Sequence, residues 1–421
     1  ACRFAGHRTM LSPEIFIEQL GSRLLNAARI IYNDLGILLV AAGFHSRLLC
    51  FCLRTRSIRK NLLPLDAHPQ TLCILRLSAL GDATHTLPVV RSIQDQWPET
   101  RITWIIGKLE RKLMEGVDDV DFIVFDKRGG WPAVRALRED LDGRRFDILL
   151  HMQVAARANL LSKLVKARLR VGWDRGRSRD FHHWFNRYKV PQIPQQHQVQ
   201  GFLEFPRLLG IPVETPRWDL PVSDAAEAWA AEHLPENQPI LLISPCSSHP
   251  LRNWRAEYYA AVADFAAAEM GMRVVLSGGP SELERTTGQQ IESLMTRPCM
   301  NLVGKDTLEQ SKAMLRQADL VISPDSGPAH IASALGTPVI GLYAATWSKR
   351  SGPYNSLRLC VDRYEEAARK YRKREASELR WGHRIEEPGV MDLIRPEDVV
   401  EKLRAWQSAS RVQERPDPGQ L

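Results

Sequence analysis

Ser323-Pro-Asp-Ser-Gly-Pro-Ala-His-Ile-Ala-Ser-Ala-Leu-Gly-Thr-Pro-Val-Ile-Gly-Leu-Tyr343 reads as strand, tight polar turn, short helix and second strand within twenty-one residues. The apolar runs 320–323 and 339–342 are short enough for strands of a buried parallel sheet, and Gly336-Thr-Pro338 closes a helix expected over 328–335. Asp325 and Ser326 suit a helix N-cap, and Gly327 lets a ligand approach the backbone. Free N–H groups at such a helix start attract anions, and His330 on the first turn can face the same pocket. An ordinary capped connection with no ligand would need the same residue types, so the rest of the chain has to decide.

The same alternation of short apolar runs and helical stretches fills the chain from residue 72 onward. Runs at 72–77, 102–106, 122–125, 148–152 and 169–172 alternate with helices expected over 84–96, 131–140, 156–165 and 199–209. A proline-rich segment, 191–199, leads into the helix at 199–209, and the stretch 211–221 then looks like a connection between two units. A second series follows, with strands at 240–244, 273–276, 320–323 and 339–342 and helices near 256–270, 281–294 and 307–317. Two Rossmann-like α/β domains with a cleft between them are the expectation, as 421 residues exceed one usual core. We place their limits at 71–215 and 216–390, with a C-terminal amphipathic helix and polar tail over 391–421.

Residues 1–70 form an N-terminal extension of different character. The chain begins at Ala1, so a fragment or an upstream read-through is expected, with Met10 as the candidate true start. The apolar stretch 35–44 is broken by His45-Ser-Arg47, and no run reaches the ~18 residues of a spanning helix. A basic cluster, Arg54-Thr-Arg-Ser-Ile-Arg-Lys60, follows. The pair suits a helix lying on an anionic membrane surface as well as a helix packed on the domain, and the order of elements is not that of a signal peptide.

Composition narrows the partners without choosing one. A net charge of +8 favours nucleotides, phosphorylated glycolipid, anionic membrane or nucleic acid. Basic residues spread over two enzyme-like domains, with no aromatic-interleaved patch, argue against nucleic acid. Seven scattered cysteines fit a reducing compartment rather than a disulfide framework, and the Cys50-x-Cys52 pair lacks a second pair at zinc spacing.

The first strand runs into Leu77-Ser-Ala-Leu-Gly-Asp-Ala-Thr-His-Thr-Leu-Pro88. A single Gly81 stands in place of a G-x-G-x-x-G run, which removes the main support for hydride transfer. Asp82 falls at the carboxyl end of that strand, where it serves either as a cap for a helix starting near Ala83 or as a general base for an acceptor hydroxyl. His85 reads as a structural or positioning residue.

These pieces, with Gly172-Trp-Asp174, Gln196-His197, Trp254 within Arg252-Asn-Trp-Arg-Ala-Glu-Tyr-Tyr259 and Asp325-Ser-Gly-Pro-Ala-His330, occur in an order and spacing similar to the ADP-heptose:lipopolysaccharide heptosyltransferases, glycosyltransferase family 9. The likeness runs from about residue 71 to 406. It implies the GT-B fold, with acceptor on the N-terminal domain and nucleotide sugar on the C-terminal one. It implies Asp82 as catalytic base for transfer with inversion, and Ser78 and Gly81 lining the same site toward the donor. Asp325, Ser326, Gly327 and His330 match the loop that holds the ribose and diphosphate, and Ser247 and Ser248 match phosphate-contacting hydroxyls. Arg252 stands where the family usually has lysine, which keeps the charge but alters its geometry. In this context the turn Ser277-Gly-Gly-Pro-Ser281 brings Glu282 to the nucleotide, and Lys127, Arg128 and Arg135 are candidates for anionic groups of the acceptor, such as Kdo carboxylates or phosphates.

The resemblance implies heptose transfer from ADP-heptose to a lipopolysaccharide inner core, with no cofactor and no metal, since no Asp-x-Asp lies at a suitable strand end. A monomeric, cytoplasmic protein, peripheral on the inner face of the inner membrane, is the matching expectation. A family member with another nucleotide sugar or acceptor, and a non-catalytic glycan- or nucleotide-binding protein of the same fold, are the alternatives.

Overall fold

A computed structural model describes residues 68–413 apart from residue 236. The apolar stretch 35–44 and the basic cluster 54–60 lie outside the described residues. Two six-stranded parallel sheets organise the rest. The first contains β1 (Thr71–Leu75), β2 (Arg101–Gly107), β3 (Val120–Phe125), β4 (Phe146–His151), β5 (Ala167–Gly172) and β6 (Tyr188–Lys189), in the order β3-β2-β1-β4-β5-β6. The second contains β7 (Ile240–Ile243), β8 (Arg273–Leu276), β9 (Cys299–Asn301), β10 (Leu320–Pro324), β11 (Val339–Tyr343) and β12 (Val361–Asp362), in the order β12-β11-β10-β7-β8-β9. Counted from its own first strand, each sheet reads 3-2-1-4-5-6, the doubly wound order. This is the GT-B arrangement of two Rossmann-like domains.

The central strands are apolar on both faces because helices cover both sides. Leu72, Ile74, Leu241, Leu242, Val321 and Ile322 are fully buried. Truncating one of them, Leu72→Ala for example, is expected to cost about 2–5 kcal/mol. β6, β9 and β12 are two- or three-residue strands at or next to sheet edges, too short to produce a periodic signal.

Two helices carry the loops that matter. Leu80–Gln96 begins three residues earlier than the apolar periodicity suggests, so Asp82 lies inside its first turn, at the third helical position, and not at the N-cap itself. There its Oδ2 accepts from Ala79 N at 3.2 Å, and a carboxylate in a first helical turn is also favoured by the helix dipole. Gly327–Leu335 has Ser326 at its N-cap and ends on Gly336 in the left-handed region (φ 88°), with Thr337 N donating back to Ala332 O at 3.0 Å. The two helices pack against each other across the domain boundary, and Leu80–Gln96 also packs on Gln198–Leu208. One apolar cluster, running from Leu72 and Leu87 to Ala329 and Val339, is continuous through both domains.

The C-terminal helix spans Pro396–Gln413, later than the periodicity from residue 391 suggests, because Met391–Leu393 forms a separate 3-10 turn before Pro396. It packs on Ala256–Glu269. Among the described residues, no helix is long and apolar enough to cross a membrane.

Candidate active site

Both doubly wound sheets reverse their winding direction between two adjacent strands, β1 and β4 in one and β7 and β10 in the other. Ligands bind at the carboxyl ends of such strand pairs. Ser78–Asp82 follows β1, Gln153 follows β4, Ser247–Arg252 follows β7, and Asp325–His330 straddles the end of β10 and the helix after it. Topology thus delivers the segments singled out from the sequence to one place.

On the N-terminal side, Asp82 is held by two further side chains. Arg76 pairs with Oδ2 and Gln198 Nε2 donates to Oδ1. Arg76 is buried and also donates to Met152 O at 2.7 Å, so its charge is fixed beside the carboxylate. The preceding loop is tied down as well, because Leu77 N and Ser78 N both donate to Gln153 Oε1 at 3.1 Å. Asp82 keeps a partly exposed side chain, 20% accessible, and lines the cleft between the domains.

On the C-terminal side, Asp325 is the hub. His330 Nε2 lies 3.6 Å from its Oδ1 and Arg252 Nη1 lies 3.9 Å from its Oδ2. Burial pushes the Asp325 carboxyl up, but His330, the Thr346 hydroxyl and Arg252 outweigh it and hold the group below the usual aspartate value. Arg252 also reaches Glu386 Oε1 (3.2 Å from Nε) and donates to Ser248 Oγ at 3.3 Å. Ser247 is turned inward instead: its N donates to Asn253 Oδ1 at 2.7 Å and its hydroxyl to His249 O at 3.0 Å. The Ser326 hydroxyl shares a 2.7 Å hydrogen bond with Ser323 Oγ and does not cap its own helix, so the helix start has no side-chain cap.

The two sides meet at one point. The His330 ring stacks edge-on against His85, with centroids 4.8 Å apart, and lies directly over Gly81. Burial above all, with His330 next, holds His85 well below the usual histidine range. His85 therefore stays neutral and supports the His330 ring.

Between the domains lies a cleft of about 700 Å³. Six arginines line it: Arg76, Arg177, Arg179, Arg350, Arg380 and Arg384. Arg76 is paired with Asp82 and Arg177 with Asp174, the two carboxylates of the lining. The other four form no ion pair among the described residues, which leaves a strongly cationic wall. Trp173, Trp347 and Trp381 supply flat apolar surface in the same cleft. Trp381 Nε1 donates to Gln196 O at 3.0 Å and His197 Nε2 bonds Gly352 O at 3.1 Å, joining the domains along its rim.

Not every candidate converges here. Glu282 is exposed on the first turn of the helix Glu282–Leu294, and it is Glu284 that folds back on the turn, accepting from Gly279 N at 2.8 Å. Lys127 is paired with Glu110 at 3.0 Å, Arg128 and Arg135 are exposed, and none of the three is among the residues lining the cleft. Arg76, Gln198, Arg350, Arg380 and Arg384 occupy the site without having been singled out. Arg76 sits one residue before the Leu77 motif and was within reach. Arg380 and Arg384 lie in a stretch of turns with no periodicity.

Known proteins share this fold and much of this sequence. The glycosyltransferase family 9 (heptosyltransferase) model matches residues 134–381. The chain is 39% identical over 336 residues to lipopolysaccharide core heptosyltransferase OpsX of Haemophilus influenzae, covering 80% of this chain and 96% of that protein. It is 26% identical over 283 residues to lipopolysaccharide heptosyltransferase 3 of Escherichia coli, covering 63% of this chain and 80% of that one. Among solved structures, a family 9 glycosyltransferase from Veillonella parvula matches with a TM-score of 0.68 at 22% identity, covering 83% of this chain and 99% of that chain. Escherichia coli heptosyltransferase WaaC with ADP matches with a TM-score of 0.61 at 19% identity, covering 80% and 99%. At these identities the solved structures speak for the fold.

Proposed function

Because the chain belongs to glycosyltransferase family 9, the heptosyltransferases, we propose that it moves heptose from ADP-heptose to a hydroxyl of an anionic lipopolysaccharide inner-core sugar, with Asp82 as general base. The observation that carries this reading is the meeting of the Asp82 loop with the Asp325–His330 loop at Gly81. The base and the anion site are then close enough to act on the two ends of one displacement.

The acceptor hydroxyl gives its proton to Asp82 as its oxygen bonds the anomeric carbon, and the bond from that carbon to the diphosphate oxygen breaks with both electrons leaving on ADP. Attack from the face opposite the diphosphate inverts the anomeric centre. Arg76 pairs with Asp82 and Gln198 orients it, while Arg252 and the N-terminus of Gly327–Leu335 receive the charge that develops on the leaving group. Asp325 and His330 hold the nucleotide part of the donor. Neither a metal nor a cofactor is assigned to the step.

The four unpaired arginines of the cleft are suited to the carboxylates or phosphates of the acceptor. This assignment moves the acceptor cations away from Lys127, Arg128 and Arg135. The test is incubation with a panel of nucleotide sugars and inner-core acceptors, with and without EDTA, read by mass spectrometry. A heptose mass increment with ADP-heptose, in both conditions, is the expected result. Transfer of a different sugar, or none with any core acceptor, overturns the proposal.

A further inference from the structure

Four large apolar side chains stand out on the N-terminal domain: Trp131 is 84% exposed, Trp184 73%, Leu160 64% and Phe181 61%. Three segments carry them, and each follows the carboxyl end of a strand: 126–131 after β3, Ala156–Leu161 after β4 and 180–185 after β5. Hydrogen bonds fasten these segments into one surface. Arg157 Nη1 donates to Lys127 O at 2.5 Å, Ala156 N to Asp180 Oδ2 at 3.0 Å and Asn159 Nδ2 to Asp180 O at 2.7 Å. The Phe181 and Trp184 rings lie 4.7 Å apart and 31° from parallel. Single exposed apolar residues need no explanation, but an aromatic group of this kind marks an interaction surface.

Charge indicates what covers it. Arg128, Arg157, Lys163 and Arg179 are exposed around the aromatic residues. The nearby carboxylates are engaged with backbone: Asp126 accepts from Arg128 N at 2.8 Å, and Asp180 from Ala156 N. Tryptophan and phenylalanine within a cationic rim fit the headgroup layer of an anionic bilayer, where the rings enter the acyl boundary and the guanidinium groups meet phosphate.

We infer that this face docks the protein on an anionic bilayer, with Trp131, Phe181 and Trp184 seated at headgroup depth. Arg177 and Arg179, on the same loop as Phe181, line the cleft. The docked face therefore sets the cleft mouth at the bilayer surface, where a lipid-anchored acceptor reaches Asp82 without leaving the membrane. That last consequence rests on the proposed function; the docking itself does not.

The test sediments the full chain with vesicles of phosphatidylethanolamine and phosphatidylglycerol, and with phosphatidylcholine alone. Wild type should bind the anionic vesicles, weakening with salt, and the Trp131→Ala/Phe181→Ala/Trp184→Ala variant should bind them at least about tenfold less. The variant should keep wild-type kcat/KM on a delipidated core acceptor and lose it on an acceptor embedded in vesicles. Quenching of wild-type fluorescence by brominated lipid, diminished in the ring-preserving Trp131→Phe/Trp184→Phe variant, reads the same contact without truncation. Equal vesicle binding by wild type and the triple variant overturns the inference. So does a wild type that ignores vesicles but self-associates through this face in size-exclusion chromatography. If the vesicle results hold and no core acceptor is glycosylated, the proposed function fails and the docking face stands.

Discussion

A Cβ on Gly81 would stand 2.6 Å from Cδ2 of His330, so the Ser78–Asp82 segment and the Asp325–His330 segment touch where one of them has no side chain. Gly81→Ala must push the His330 ring aside by the better part of an ångström, and with it the contact to Asp325. A displacement of that size is expected to lower kcat/KM on the order of 10²-fold. Stability should change little, because alanine is favoured over glycine in a helix by about 1 kcal/mol. Steady-state kinetics beside a thermal melt check both halves, and full activity in a stably folded variant would show that His330 has room to spare.

Asp82→Asn keeps the volume and most hydrogen bonds of the site while removing the carboxylate proposed to accept the proton. Turnover should fall by roughly 10²–10⁴, with ADP affinity by calorimetry unchanged. Retained turnover would remove Asp82 as the base.

Much of this architecture was legible because it repeats. Each domain announces itself through apolar runs of four to six residues followed by a helical period, and Asp82, Asp325 and His330 lie on turns between such elements. The edge strands β6, β9 and β12 were not legible, since two or three residues carry no period. The cationic wall of the cleft was hidden for a different reason. Arg350, Arg380 and Arg384 come from a region of 3-10 turns and short helices after β11, and only the closing of one domain on the other sets them opposite Arg177 and Arg179. Lys127 drew attention as part of a local cation cluster, whereas its nearest carboxylate, Glu110, belongs to a separate helix, Lys108–Leu113.

Buried histidines make stability sensitive to mild acid. Burial holds His182 at about 4 and His197 at about 4, the latter despite its bond to the Gly352 carbonyl. The unfolded chain therefore binds more protons than the folded one between about pH 6.5 and 4, and stability must fall as pH drops through that window. Each histidine contributes about 3 kcal/mol at the acid end. Urea midpoints at pH 7.5 and 5 should differ clearly in wild type and less in His197→Gln. An identical pH dependence in the two proteins would exclude His197 from the effect.

Arg380 and Arg384 offer a test that distinguishes acceptor binding from donor binding. Both face the cleft from the C-terminal domain, yet neither is among the partners of Asp325, where the donor is expected. If they hold acceptor anions, Arg380→Ala/Arg384→Ala should raise the acceptor KM about tenfold or more, in line with the loss of charge-assisted hydrogen bonds worth roughly 1.5–3 kcal/mol each. The donor KM and ADP affinity should stay near wild type. Arg→Lys at both positions preserves charge without the fork and should recover part of the loss. Removing Arg252 should do the reverse, weakening ADP binding with little change in acceptor KM, because Arg252 sits 3.9 Å from Asp325. A double Arg380/Arg384 variant that weakens the donor instead would place these residues on the nucleotide, and would leave Arg179 and Arg350 as the unpaired cleft arginines for the acceptor.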